Sequence, residues 1–156
     1  MPVITLRTLI HAPIERCFDL SRDIDLHIRS TAQTGEVAVA GVTTGLISLG
    51  EEVTWEARHF GVRQRLTTRI TAYDRPAYFR DSQVRGAFKR FDHDHRFETL
   101  STGATLMRDI FDYESPLGLL GILADHVFLE NYMRSLLKRR NSVLKEVAES
   151  DCFRDR

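Results

Sequence analysis

The sequence predicts an α+β fold: a curved antiparallel sheet of about seven strands wrapped round one long C-terminal helix, with two short helices after the first strand. Three observations carry this expectation. From residue 36 to about residue 114, nearly every segment is a β-type run that stops at a turn. From Leu117 the apolar period changes to that of a helix. An antiparallel sheet with an apolar face must be covered, and only this last helix is long enough to cover it.

Residues 3–11, VITLRTLIH, are rich in β-branched and long apolar side chains and read as a strand. Ala12-Pro13 opens a first helix, where proline's missing N–H costs little, and IERCFDLSRD places Ile14, Cys17, Phe18 and Ser21 on one face. A second short helix is expected from Ile24 to Ser30. EVAVA is a short strand, and GVTTGLISLG a connecting loop whose Gly41, Gly45 and Gly50 permit positive φ. Long strands follow, broken at Gly61, Arg75-Pro76, Gly86 and Ser101-Thr102-Gly103. In the final helix Leu123, Val127, Tyr132, Leu136, Leu137, Leu144 and Val147 fall on or near one face, and an unbroken run of ~30 residues would be roughly 45 Å long.

With 156 residues the chain suits one core, expected over residues 1–150 with a frayed tail at 151–156. Lys and Arg number 22, as do Asp and Glu, so the chain lacks the positive field that nucleic acids attract. Apolar residues at 42% and charged residues at 28% describe a globular rather than a disordered chain. The longest uncharged run, Val37 to Gly50, is too short and too polar to span a bilayer. MPVITLRTLIHAP has no basic segment leading into an apolar one, so no secretory signal is expected. Cys17 and Cys152 make no disulfide framework, and their spacing suits no metal. These features predict a cytoplasmic protein.

Alternation assigns side chains to faces. A two-residue turn at Phe60-Gly61 pairs His59 with Val62, Ala57 with Gln64, Trp55 with Leu66 and Val53 with Thr68. Arg58, Arg63, Arg65 and Arg69 then share the opposite, solvated face. A three-residue turn at Ser101-Thr102-Gly103 pairs Phe97 with Met107, His95 with Asp109 and His93 with Phe111; a two-residue turn would slip this by one. Phe91, His93, His95, Phe97, Asp109, Phe111 and Tyr113 then face inward, with Asp92, Asp94, Arg96, Glu98, Arg108 and Asp112 outward. In the strand between the hairpins, Phe79, Asp81 and Gln83 form the inward set.

Ala12-Pro13-Ile14-Glu15, Phe79-Arg80-Asp81-Ser82, FDHDHRFE at 91–98, MRDIFDYESPLG at 107–118 and the long helix resemble the START-like, or helix-grip, superfamily (SRPBCC), which includes birch-pollen-allergen-like proteins and polyketide cyclases. The resemblance covers residues 1 to about 149. It implies a deep, mostly apolar cavity for a small hydrophobic or aromatic molecule, with the Gly41–Gly50 loop as its lid.

The inward set is unusually polar for a core, and an orphaned buried polar group costs ~1–3 kcal/mol. The residues expected to meet a ligand are Trp55, His59, Gln64, Leu66, Phe79, Asp81, His93, His95, Phe97, Asp109, Phe111 and Tyr113. His95 opposite Asp109 is the pair to single out. It could fix strand register, orient a ligand, or act as a general base. His93 and His95 could share a metal with Asp109 or His59, but no metal or cofactor is expected. Lys138-Arg139-Arg140 reads as a solvated helix face. The expected function is binding, as a carrier or sensor. Two alternatives stand beside it: a cyclase or dehydratase based on His95 and Asp109, and a chaperone-activator-like module using the outer arginines. A small hydrophobic molecule is the expected partner, with room left for a homodimer and with no nucleic acid or membrane insertion.

Overall fold

A computed structural model describes residues 2–115 and 128–151. Strand β1 (Val3–Ile10) leads into helices α1 (Ile14–Ser21) and α2 (Ile24–Ser30). Strands β2 (Val37–Gly41), β3 (Glu52–His59), β4 (Val62–Asp74), β5 (Tyr78–Arg85), β6 (Arg90–Thr99) and β7 (Thr105–Glu114) follow, and helix α3 (Glu130–Asp151) ends the described chain. The seven strands form one antiparallel sheet in the order β1-β7-β6-β5-β4-β3-β2. This is the α+β arrangement that the sequence predicts. The expected helical residues Leu123 and Val127, and Cys152 in the tail, lie outside the described residues.

Turn chemistry sets the register. Phe60 (φ 52°) and Gly61 (φ 76°) both take positive φ, as a primed two-residue turn requires, and the β3–β4 pairs are those expected. At the other hairpin the Leu100 amide donates to the Ala104 carbonyl (2.8 Å), and His95 stands opposite Asp109. Register shifts in β4 at Thr67/Thr68 and Ile70/Ala72 bend the sheet.

The concave face holds two apolar clusters. In one, Phe18 of α1 meets Tyr73, Phe79 and Phe97 edge-on with ring centroids 5.4–5.5 Å away. In the other, Ile4, Phe91, Phe111 and Tyr113 pack under Leu137 of α3. Along β6 the order Phe91, His93, His95, Phe97 sets two buried histidines between these clusters. Among the described residues no helix is long and apolar enough to cross a membrane.

The convex face is charged and paired. Arg65 bonds Glu56 (2.8 Å), and Arg69 bonds Glu52. Asp94, although outward, is only 8% exposed: it accepts from Tyr78 Oη at 2.6 Å and from Arg80 at 2.7 and 2.9 Å. Burial pushes this carboxyl up, but the Arg80 and Tyr78 hydrogen bonds prevail and hold it below its usual value. Its contribution to stability is therefore complete above the unfolded value of ~3.9 and is lost as pH falls through the lower folded value. Asp94→Asn should cost about 1–2 kcal/mol in urea unfolding at pH 7, with the difference from wild type shrinking towards pH 3.

Candidate functional site

Between the concave sheet face and the helices lies a cavity of about 450 Å³. Its walls are mainly apolar, with Trp55, Leu66, Ile70, Phe79, Phe111 and Leu137 among them. The β2–β3 loop closes over one side. The Asp25 carboxylate accepts from Thr44 Oγ1 (2.8 Å) and the Gly45 amide (2.9 Å), which brings Ile47, 4% exposed, onto the cavity wall. Gly41 at the loop's start is required by space, since a Cβ there would sit 2.2 Å from the Glu52 carbonyl oxygen.

Polar groups gather at two places in the wall. The first is the β5–β6–β7 floor. In register Asp81 faces His93 and His95 faces Asp109, but the side chains bond on the diagonals. His95 Nε2 donates to Asp81 Oδ1 at 2.8 Å, and His93 Nε2 donates to Asp109 Oδ1 at 3.0 Å. The singled-out pair is present, opposite in register and in ion-pair contact with His95 Nδ1 3.2 Å from Asp109 Oδ1, but the aligned hydrogen bonds of both residues run to the diagonal partners. His95 stacks on Phe79 (centroids 4.2 Å) and lies against the His93 ring (3.9 Å).

From α3, Asn141 Nδ2 donates to Asp109 Oδ2 (2.6 Å). Arg140 donates to the Ser21 carbonyl (2.9 Å) with its guanidinium 3.7 Å from Asp109. Arg140 is 7% exposed and lines the cavity, which corrects its assignment to a solvated face. Its spacing from Leu137 and Leu144 was the available signal: the positions between them on one helical face are 140 and 141.

The electrostatics follow from this packing. Burial presses on every charge. The His93 hydrogen bond and the close approach of His95 nevertheless hold Asp109 well below the carboxylate range, and Asp81 is lowered by His95 and His93. Burial pushes His95 down, but Asp109 and Asp81 outweigh it and its pKa is raised. His93 is lowered by burial and then by the neighbouring His95. With His95 protonated, its charge and that of Arg140 balance the two carboxylates, and the floor is then a neutral group of charges in an apolar shell.

The second polar group lies near the β3–β4 tip. His27, stacked on Trp55 (4.3 Å), bonds Glu36 at 2.5 Å. His59 Nδ1 meets Tyr132 Oη at 2.7 Å, and burial lowers the His59 pKa against the charge of Glu36. Tyr132 Oη therefore donates to a neutral His59, tying the hairpin tip to α3. His27 and Glu36 were not read from the sequence, because they join through a helix and a strand edge with no shared period.

Of the twelve residues predicted to meet a ligand, nine line the cavity. These are Trp55, His59, Gln64, Leu66 and Phe79, and also Asp81, His93, His95 and Phe111. The other three are corrected. Phe97 belongs to the Phe18 cluster, and Tyr113 packs beside Phe88 and Phe91. Asp109, 0% exposed, sits behind the two histidines rather than at the wall. Gln83 stands in register opposite inward Thr68, as expected, but does not line the cavity: its side chain spans the β5–β6 turn through hydrogen bonds with the Phe88 backbone. The third group that joins His93 and His95 as a potential metal ligand is Asp81, not Asp109 or His59, with one ligand atom of each within 4.8 Å of the others.

No family model and no curated protein matches the chain. Solved structures do. TTHA0849 from Thermus thermophilus superposes with a TM-score of 0.72 at 19% identity, over 94% of this chain and 99% of that one. A START superfamily protein from Mycobacterium smegmatis gives 0.69 at 15% identity, over 95% and 97%. The chain has the START-like, helix-grip fold. Ginseng major latex-like protein 151 from Panax ginseng shares it, with a TM-score of 0.68 at 16% identity over 94% and 97%. A START-like scaffold does not specify chemistry, so the function has to be argued from this chain's own site.

Proposed function

We propose that the protein binds one small, largely apolar or aromatic molecule between its sheet and α3, as a cytoplasmic carrier or sensor built from residues 1–150. The observation that carries this is the cavity itself: about 450 Å³ of apolar-walled space with its polar groups confined to two clusters. That volume suits a drug-sized molecule, and a folded chain without an occupant would gain by closing such a hollow. In this reading Trp55, Leu66, Phe79 and Phe111 supply contact area. Asp81, His93, His95 and Arg140 meet the polar end of the occupant, and the Ile47 loop governs entry.

A second reading is a cyclase- or dehydratase-like reaction. The lone pair that His93 keeps when Nε2–H is given to Asp109 favours it, and this moves the base from His95 to His93. The chaperone-activator reading has less support, because Arg65 and Arg69 on the outer face already bond Glu56 and Glu52.

The sequence has a single tryptophan, and it lines the cavity. An anilinonaphthalene sulfonate titration should therefore quench Trp55 emission saturably, with one probe per chain. Probe binding that leaves Trp55 emission unchanged would refute the cavity as the site.

A further inference from the structure

We infer that Asp81, His93 and His95 form a binding site for a divalent first-row transition ion, zinc being the first to test. The ligand set is one oxygen and two imidazole nitrogens, each within 4.8 Å of the others, on adjacent antiparallel strands. Zinc–ligand bonds of ~2.0–2.2 Å place ligand atoms somewhat over 3 Å apart, and the observed 2.8 Å (His95 Nε2 to Asp81 Oδ1) and 3.8 Å (His93 Nδ1 to the same oxygen) bracket that spacing.

The surroundings argue for a cation more strongly than the distances do. Each histidine turns one nitrogen towards Asp81 and the other towards Asp109 Oδ1, at 3.0 Å for His93 and 3.2 Å for His95. A carboxylate behind each ligating imidazole is the arrangement that orients metal-bound histidines. That carboxylate is itself clamped by Asn141 at 2.6 Å. With Nε2–H given to Asp109, the bare Nδ1 lone pair of His93 faces an Asp81 oxygen across 3.8 Å with no proton between them. Two electron-pair donors facing each other in an apolar shell are a place for a cation, which on entering displaces the His95 Nε2 proton now given to Asp81, so that uptake releases a proton to solvent. A buried ion pair that only fixed strand register would need one histidine and one aspartate, not four groups in a closed ring.

Three protein ligands leave coordination positions open, and the open side is the cavity: all three residues line it, and the Asp81 side chain keeps 20% exposure. An oxygen donor on an otherwise apolar occupant, such as a carboxylate, phenolate or enolisable ketone, would complete the shell. The site stands apart from the apolar-ligand reading, since the metal is read from its own spectrum and the probe from Trp55.

The test is a Co²⁺ titration of the chelator-treated full chain, followed by visible absorption, with Zn²⁺ uptake measured by calorimetry. The expected result is one ion per chain, with Asp81→Asn weakening uptake by about 100-fold or more. Asp109→Asn should weaken it by about 10–100-fold, and His11→Ala, on the surface, should leave it unchanged. Should Asp81→Asn not fold, wild-type NMR decides: Zn²⁺ must shift the imidazole nitrogens of His93 and His95 while those of His27 and His59 hold. Absence of saturable uptake, uptake indifferent to Asp81→Asn, or shifts confined to other histidines would overturn the proposal.

Discussion

Asp109→Ala should destabilise the protein by about 3–5 kcal/mol, the largest effect of any substitution at the cavity floor. The residue is fully buried, takes the His93 Nε2 hydrogen at 3.0 Å and the Asn141 amide at 2.6 Å, and lies 3.7 Å from the Arg140 guanidinium. Its removal leaves Arg140 and His95 with Asp81 as the one carboxylate of the floor, and leaves the Asn141 Nδ2 group only the longer 3.3 Å hydrogen bond to Thr8 Oγ1. Chemical unfolding at pH 7 measures this. Asp109→Leu is the informative companion. If burial of charge were the dominant expense, leucine would recover much of the loss, whereas a network in which every member is bonded predicts that leucine does little better than alanine.

Ala57→Phe should leave stability within about 1 kcal/mol of wild type, yet weaken binding of an apolar aromatic probe on the order of 100-fold. Ala57 is 6% exposed on the inner face of β3, opposite Gln64, and lines the cavity. A phenyl ring there enters existing space instead of displacing packed neighbours, so it fills the volume an occupant needs. The opposition of the two effects is the useful feature: lost binding with an unchanged melt locates the occupant in the hollow. Trp55 quenching titrations on both proteins, with thermal melts alongside, give the comparison.

How much of this was legible in the sequence depended on the kind of information each residue carries. Register was legible, because Phe60-Gly61 and Ser101-Thr102-Gly103 leave few turn geometries and alternation then assigns every face. Depth was not. Phe97, Asp109 and Tyr113 do face inward, but in a bent sheet an inward side chain can lie beneath the wall as easily as in it. Hydrogen-bond choice was not legible either, since register predicts which residues are opposite while rotamers select the diagonal partner two residues away. Arg140 and Asn141 were hidden by phase. In Lys138-Arg139-Arg140 the first two are solvent-exposed and the third is buried, and only the flanking leucines carry that difference. The Glu36–His27 contact joins segments with no common period, so no pattern announced it.

The proposed function stands or falls on whether the hollow between the sheet and α3 holds a small apolar molecule. Native mass spectrometry of the protein purified from the organism that makes it tests this most directly, with denaturation to release and identify any bound mass. The expected result is one small, largely apolar molecule per chain, rebinding to the emptied protein and excluded by Ala57→Phe. A bare chain mass that stays bare when apolar aromatic molecules are supplied in excess would contradict it.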